Sequence, residues 1–280
     1  MSKKSKSKKR GRKNRRLNTR VLTIVSLVVI IFGGIAGGLI YLKIKGSVGR
    51  NLALGRAHLE EGQHEKALRA TGKVLYRESG NQEAHNLRIK IYESMVPETP
   101  QRAQQLYRDY LTSLVQHAQF SPGDEALAMR ALDELWIASI ISDGTAFWSM
   151  LKSEAQKQRQ NFQSGSPVYA RATLLLGLSE MRLGQANFLG DVDQTGHVRF
   201  PGEAALEEYV SLVPDSDAGL SQLAFGRMAV ARQLGLQGRE QQEERNLELA
   251  QAAYDRSLEA NPRGPYTLLG VIRHNYIHEL

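Results

Sequence analysis

The sequence predicts an all-α protein in which one N-terminal transmembrane helix is followed by a stack of helical hairpins. The first observation is a run of 22 uncharged residues from Val21 to Leu42, since a helix of that length spans about 30 Å of hydrocarbon. The second is the composition after Asn51, where Ala, Leu, Glu, Gln and Arg dominate and apolar residues recur at three- and four-residue spacing. No alternating strand pattern competes with this periodicity.

The basic residues are concentrated at the N-terminus. Residues 1–20 contain 11 of the 37 lysines and arginines, which leaves 26 basic against 29 acidic residues in the rest of the chain. The net charge of +8 is therefore a property of the tail. We interpret the tail as a topology determinant that also lies near anionic lipid headgroups. A nucleic-acid-binding arm is the alternative.

The same asymmetry predicts the orientation of the anchor. Flanks rich in Lys and Arg stay in the cytoplasm, so residues 1–20 are predicted to be cytoplasmic and the chain from residue 43 onward periplasmic or otherwise extracytoplasmic. A cleaved signal peptide is the alternative, because Gly34 and Ala36 resemble a cleavage site. Against it, the apolar run continues to Leu42.

Glycines inside the anchor predict a face on which two membrane helices could pair. Two small-xxx-small pairs lie on one side of the helix, where a second copy could approach closely. A homodimer through this face is a hypothesis beside the simpler explanation that glycine is common in membrane helices. The residues are Gly33, Gly34, Gly37 and Gly38.

The chain after the anchor contains an internal repeat. Leu54-Gly55, then Gly62, then Ala67-Leu68 predict a helix, a short turn and a second helix, with small residues where the two helices pack closely. These residues resemble the tetratricopeptide repeat, whose 34-residue pattern has a Leu-Gly pair in its first helix, a glycine at the turn and an alanine opening its second helix.

Four further hairpins are predicted along the chain. Tyr92 fits the first-helix aromatic position of the second unit, and a third pair is predicted from Asp124 to Asn161 by its architecture alone. In the fourth unit, Leu176-Gly177 and Gly184 repeat the signature before an insertion at residues 187–202. Second helices are marked by Ala103, Tyr107, Leu111, Ala205, Leu206, Tyr209, Ala250, Tyr254 and Leu258.

The predicted organisation is therefore a tail, an anchor and an array that ends in a closing helix. A helical bundle without repeats is the alternative architecture. The predicted segments are a tail at 1–20, a transmembrane helix at 21–42, a juxtamembrane linker at 43–50, repeats at 51–262 and a capping helix at 263–280.

Signatures of catalysis are not found in the sequence. Cysteine is absent, which excludes disulfides, Cys-based zinc sites and thiol catalysis. The chain has no Gly-rich phosphate loop, no nucleophile elbow and no His-Glu-x-x-His motif. We predict neither an enzyme nor a cofactor.

The insertion contains a weak calcium motif. Asp191, Asp193 and Thr195 precede Gly196 as alternating oxygen ligands precede the turn glycine of a calcium loop. The motif is incomplete, because Gly202 stands where such a loop ends in Glu. A polar turn explains these residues without a metal, so no metal site is predicted and calcium is kept as the weaker hypothesis.

The resemblance implies that function lies in the groove lined by the first helix of each unit, where tetratricopeptide proteins hold a peptide or partner helix. A mildly basic groove would suit an acidic segment or a C-terminal carboxylate. The matching positions are Arg56, Asn86, Lys90, Arg171 and Arg182.

The predicted function is that of a membrane-anchored adaptor or scaffold that binds protein partners on the extracytoplasmic side. One alternative is an extracytoplasmic ligand- or calcium-binding protein, or an enzyme, that uses the insertion at residues 187–202. The other is a nucleic-acid binder that uses the basic tail.

Overall fold

The computed structural model describes residues 47–142, 144–184, 189–265 and 267, together with Ser26, Leu27 and Val29 to Ile31. From residue 47 to residue 260 the described chain folds into ten helices, and an isolated antiparallel bridge between Val192 and Val198 is its only extended pairing. The helices are α1 (47–60), α2 (His64–Arg77), α3 (Gln82–Ser94), α4 (Pro100–Phe120), α5 (Glu125–Ile141), α6 (Thr145–Asn161), α7 (Pro167–Leu183), α8 (Glu203–Leu212), α9 (Asp217–Leu236) and α10 (Glu240–Ala260).

The helices pack as five successive hairpins. From α2 to α10 each helix contacts the next, and α7 also contacts α5 and α9. The odd-numbered helices are thus the first helices of the hairpins and the even-numbered ones the second helices. The predicted all-α hairpin array is confirmed. Its third hairpin spans Asp124 to Asn161, as predicted.

Side-chain caps explain where most of the first helices begin. Asp124 accepts a hydrogen bond from the Leu127 N–H at 3.0 Å, which satisfies one of the backbone donors that a helix start leaves unpaired. Proline at the first position of α4 and α7 adds a preset backbone angle. The other side-chain caps are Asn81, Thr99, Ser166 and Ser216.

Two apolar cores meet at α3. The smaller one joins α1, α2 and α3 through residues such as Val48, Val74 and Ile91. The larger one runs from Ile89 on α3 to Tyr254 on α10. Because Ile89 and Ile91 lie two residues apart on one short helix, α3 connects the first hairpin to the rest of the array.

Helix α7 shows why the hairpin signature needs glycine. A Cβ placed on Gly177 would lie 2.7 Å from the Leu206 side chain and 3.0 Å from the Gly202 carbonyl oxygen. Gly202 itself has a φ of +90°, and a Cβ there would lie 2.2 Å from the Gly177 carbonyl oxygen. This contact between two backbones seats the end of the insertion directly on α7.

Two predicted boundaries differ from the structure. Residues 47–50 are already helical, because Val48 and Leu52 bury one face of α1, so the first hairpin begins before Asn51. In the fifth unit, the extra residues after Leu234 do not form a loop. They lengthen α9 and α10, which are joined by a turn of three residues, Gln237 to Arg239.

Most of the predicted anchor lies outside the described residues, as do the tail at 1–20, the glycines of the pairing face and residues 268–280. Within the part of the chain that the structure describes, no helix is both long and apolar enough to cross a membrane. Of the predicted closing helix, only residues 263–265 and 267 are described; Thr267 is buried, and its hydroxyl lies 2.9 Å from the hydroxyl of Ser257 on α10.

Candidate functional site

Ion pairs join the first helices along one side of the array. Arg56 on α1 pairs with Glu83 on α3. Glu93, near the end of α3, pairs with Arg130 on α5. Asp133, one turn further along α5, pairs with Arg171 on α7 at 2.8 Å. We call the side defined by these three pairs the first-helix face.

Four of the five predicted groove residues lie on this face, Arg56 and Arg171 through the ion pairs that define it and Asn86 and Lys90 on α3. At 100° per residue, Asn86 and Lys90 fall on the same exposed side of α3 as Glu83 and Glu93, and both are exposed. Arg182 is exposed near the end of α7. The predicted roles of these residues in partner binding stay predictions.

The other two predicted cations have a structural partner each. Arg56 and Arg171 are held by the carboxylates of Glu83 and Asp133, so each already links two neighbouring hairpins. Ion pairs this exposed contribute about 0–1 kcal/mol apiece to stability. The pairs show which sides of α1, α3, α5 and α7 face the same way.

An apolar patch on α5 was not predicted. Ile137, Ile140 and Ile141 are 45%, 56% and 75% exposed, and they follow Arg130 and Asp133 on the same side of the helix. We call them the isoleucine patch. A cluster of large exposed apolar side chains is typical of an interaction surface, whereas a single one is ordinary.

The sequence did contain a signal for this patch. The segment Leu135 to Ile141 is almost wholly apolar, which is more than one buried face of a helix requires. Leu135 and Ala138 occupy the buried face, so the three isoleucines must point elsewhere. Because the segment has more apolar residues than one buried helix face can hold, the sequence could have predicted an exposed apolar patch here.

A groove of about 390 Å³ opens between α3, α4 and α5 beside Arg130. Its apolar part is formed by Met95, Pro97, Ala103 and Leu106. Its polar part is a network centred on Glu134, which accepts hydrogen bonds from the hydroxyls of Tyr107 at 3.2 Å and Tyr110 at 3.4 Å. Arg130 in turn donates to the Tyr110 hydroxyl at 2.9 Å.

Tyr107 and Tyr110 stay protonated over the whole physiological range. Burial, reinforced by the Glu134 carboxylate, raises the pKa of Tyr107 to about 12. Burial also raises the pKa of Tyr110. The groove therefore offers hydroxyl, carboxylate and guanidinium groups beside an apolar floor, a composition typical of ligand-binding clefts.

The insertion is a short hairpin turn held by its own hydrogen bonds. Asp193 Oδ1 accepts from the Thr195 N–H at 2.8 Å, from the Thr195 hydroxyl at 2.7 Å and from the His197 N–H at 3.2 Å. Among the described residues, no three His, Asp or Glu side chains come together as metal ligands. The calcium hypothesis for Asp191, Asp193 and Thr195 gains no support, because the turn that Asp193 organises explains the pattern.

Comparison with known proteins leaves the family open. No protein-family model and no curated protein matches the chain. Among solved structures it is similar to MamA, with 14% identity over 78% of this chain and 93% of that one and a TM-score of 0.42. It is also similar to YrrB, a TPR protein with an unusual peptide-binding site (10% identity, 78% and 88% of the two chains, TM-score 0.42), and to a thermophilic TPR protein of Thermus thermophilus (17% identity, 83% and 100%, TM-score 0.42). Likenesses this distant assign neither a family nor a partner.

Proposed function

We propose that the chain is a membrane-anchored adaptor that binds protein partners on the first-helix face of its hairpin array. The observation that carries this proposal is the isoleucine patch, which lies on the same side of α5 as the ion pairs of Arg130 and Asp133. An apolar surface rimmed by polar groups is the usual composition of a protein-binding site. Catalytic chemistry is not part of the proposal.

The partner that fits this face is an amphipathic helix or extended peptide. Its apolar side chains would cover the isoleucine patch, and its polar groups would reach Asn86, Lys90 and the groove beside Arg130. An acidic residue of the partner would pair with Lys90, whose ammonium group is exposed on α3. The apolar patch supplies affinity, and the polar groups fix register and direction.

The finer parts of the proposal concern the membrane. Residues 21–42 form the anchor, the tail at 1–20 stays in the cytoplasm near anionic lipid, and the array lies on the extracytoplasmic side. Two copies pair through Gly33, Gly34, Gly37 and Gly38. The support for these statements is the sequence: the uncharged run, the charge asymmetry and the glycine spacing.

Substitution of the isoleucine patch tests the proposed binding face. The full chain carrying Ile137→Ser and Ile141→Ser should lose the proteins that co-purify with the unaltered chain from a detergent extract. Leu236→Ser is the matched control, because Leu236 is 83% exposed at the end of α9, away from the first-helix face of α3 and α5. Equal recovery of partners with all three chains would contradict the proposal.

The absence of cysteine makes the topology directly testable. A chain with Ser2→Cys and a second chain with Leu236→Cys each carry one thiol, since the natural sequence has none. A membrane-impermeant maleimide added to intact cells should label the thiol at position 236 and should reach the one at position 2 only after permeabilisation. The reverse pattern would overturn the extracytoplasmic placement.

A further inference from the structure

Helix α2 carries a continuous basic face. Lys66, Arg69, Lys73 and Arg77 are all exposed and, at 100° per residue, lie within an arc of about 100° on one side of the helix. The side of α2 that adjoins this arc is buried, and Ala67 and Val74 on it belong to the smaller core. The buried residues are Ala67, Ala70, Thr71 and Val74.

Tyr76 lies at the edge of the same arc and is 92% exposed, the largest exposed fraction among the large apolar and aromatic side chains that the structure describes. A tyrosine ring this exposed buries almost no apolar surface when the chain folds, so it contributes almost nothing to stability. Tyrosine is enriched where one side of its ring meets lipid and its hydroxyl meets water, at the boundary of a bilayer.

The nearby carboxylates of Glu65 and Glu78 are not paired with this face. Glu65 flanks it but is engaged by Arg102 on α4, whose guanidinium lies 2.9 Å away. Glu78 follows α2 and accepts a hydrogen bond from the Asn81 side chain at 2.8 Å. Within the described chain, none of the four basic residues of the face forms an ion pair.

The position of this face along the chain places it close to the predicted anchor. The Arg77 guanidinium donates to the Ser47 hydroxyl, so the end of α2 lies beside the start of α1. Five Cα-to-Cα steps separate Ser47 from Leu42, the last residue of the predicted span. A chain of that length reaches at most about 18 Å. The basic face therefore starts within about two helix diameters of the bilayer surface.

We propose that α2 docks on the surface of the bilayer that holds the anchor, with its four cations among anionic lipid headgroups and Tyr76 at the interface. The inference rests on the proposed anchor. The buried side of α2 packs against α1 and α3 in the smaller core. Arg77 contacts α1 at Ser47, which at 100° per residue lies on the side of α1 opposite Arg56 and the first-helix face. Docking would therefore hold the first hairpin against the membrane and leave the first-helix face open to a partner.

Fluorescence of a single added tryptophan tests the docking. The full chain with Tyr76→Trp is reconstituted into vesicles of phosphatidylcholine alone or mixed with phosphatidylglycerol, with bromine-labelled lipid as a quencher. The emission added by this tryptophan over that of Trp136 and Trp148 should shift to the blue and be quenched in the anionic vesicles. Leu236→Trp is the control, because position 236 is also highly exposed but lies at the other end of the array, and its tryptophan should stay unquenched.

Neutralising the basic face should release α2 from the vesicle surface. Lys66→Gln, Arg69→Gln and Lys73→Gln together, added to Tyr76→Trp, keep good helix-forming residues at all three positions. Since each basic residue near an anionic surface strengthens binding about fivefold, the docking equilibrium constant should fall by about a hundredfold. The far-ultraviolet circular dichroism spectrum should not change.

Flotation of the same vesicles after carbonate washing separates this inference from the proposed anchor. If the chain floats but the tryptophan at position 76 is not quenched in either lipid, the docking inference is overturned and the anchor stands. If carbonate extracts the chain, both fall. Equal quenching in the two lipids, unaffected by the three glutamines, would also overturn the role given to the basic residues.

Discussion

Two of the places at which the molecule buries ionisable side chains treat them in opposite ways. At the base of the insertion, Glu203 is fully buried as part of a charged cluster with Arg227 and His197. In the second hairpin, His85 on α3 and His117 on α4 are buried as a stacked pair without a counter-charge in contact. We call these two places the insertion junction and the histidine pair. At the insertion junction a buried charge is compensated by other charged groups, whereas the histidine pair is stable only while both rings are neutral.

The insertion junction joins α8, α9 and the insertion. The Arg227 Nε donates to Glu203 Oε1 at 2.7 Å, and its Nη2 donates to Glu207 at 2.8 Å. His197 Nε2 lies 3.1 Å from the same oxygen of Glu203. Burial alone would raise the pKa of Glu203, but His197 and Arg227 hold it below its ordinary value. The carboxylate is thus kept charged inside the protein.

The histidine pair is arranged to remain neutral. The rings of His85 and His117 stack with centroids 5.3 Å apart. Nε2 of His85 donates to the Ser79 carbonyl oxygen, and Nε2 of His117 donates to Gln82 Oε1, both at 2.7 Å. The two Nδ1 atoms are buried without a hydrogen-bond partner. A proton added at Nδ1 would find no acceptor, and burial lowers the pKa of both histidines.

The largest effect should come from breaking the insertion junction. Arg227→Met removes the main counter-charge of Glu203 while keeping much of the side-chain volume, and an uncompensated buried charge costs about 3 kcal/mol or more. We expect the free energy of unfolding to fall by about that amount in urea titrations of the full chain in mild detergent. Tryptophan fluorescence follows the unfolding, since Trp148 belongs to the larger core and Trp136 packs against it.

Arg159→Met is the matched control for that prediction. Arg159 pairs with Glu208 at 2.6 Å, but both side chains are partly exposed, at 24% and 35%. Removing this pair should cost at most about 1 kcal/mol. Equal losses for the two substitutions would mean that the junction is not stabilised by charge compensation, and the contrast drawn between the two regions would fail.

An intermediate effect is expected from the packing beneath the junction. A Cβ on Gly226 of α9 would lie 2.3 Å from the Phe200 ring, and Phe200 is only 4% exposed, so the ring has little room to move. Gly226→Ala should lower the free energy of unfolding by about 1–3 kcal/mol through overpacking. Gly72→Ala on α2 meets nothing within 4 Å and should instead stabilise the chain by about 0.5–1 kcal/mol. The same urea titrations measure both changes.

Local patterns in the sequence predicted the hairpins because helix starts and turns depend on neighbouring residues. Asp124 was identified as the start of the third unit and is its cap, and the insertion at residues 187–202 was placed from the gap between the two helix signatures of the fourth unit. Glu203 could not be recognised as buried, since Gly-Glu-Ala-Ala-Leu-Glu-Glu reads as an ordinary solvated helix start. Its burial depends on Arg227, which lies 24 residues away.

The candidate site was predicted less well than the fold, and for a related reason. Spacing placed Asn86 and Lys90 together on one side of α3, and the structure shows both exposed on its first-helix face. Spacing could not show that Arg56 and Arg171 are taken up by carboxylates of the neighbouring hairpins, because those partners lie 27 and 38 residues away. The sequence alone does not distinguish a cation that is available to a binding partner from one that is already paired with a neighbouring hairpin.

The smallest effect, and the sharpest test of the contrast, is the response to acid. Because the pKa of both paired histidines is lowered in the folded chain, the unfolded chain takes up protons first as the pH falls below about 6.5, the ordinary value. Stability supplied by the neutral pair is therefore complete above that pH and is lost as the pH falls further. The lowered pKa of Glu203 also makes the folded chain less stable as the pH falls, but in a more acidic range, since the unfolded carboxyl takes up its proton only near its ordinary pKa of 4.5.

Between about pH 6 and pH 5, then, α3 and α4 should loosen while α8 and α9 keep their protection. Hydrogen exchange of the full chain, corrected for the intrinsic effect of pH on exchange, measures the two regions separately in one sample. His117→Gln removes one member of the pair and should flatten the acid response of α3 and α4, although it lowers their protection at neutral pH. If α8 and α9 lose protection first, or if His117→Gln leaves the acid response unchanged, the histidine pair is not the acid-sensitive element of the fold.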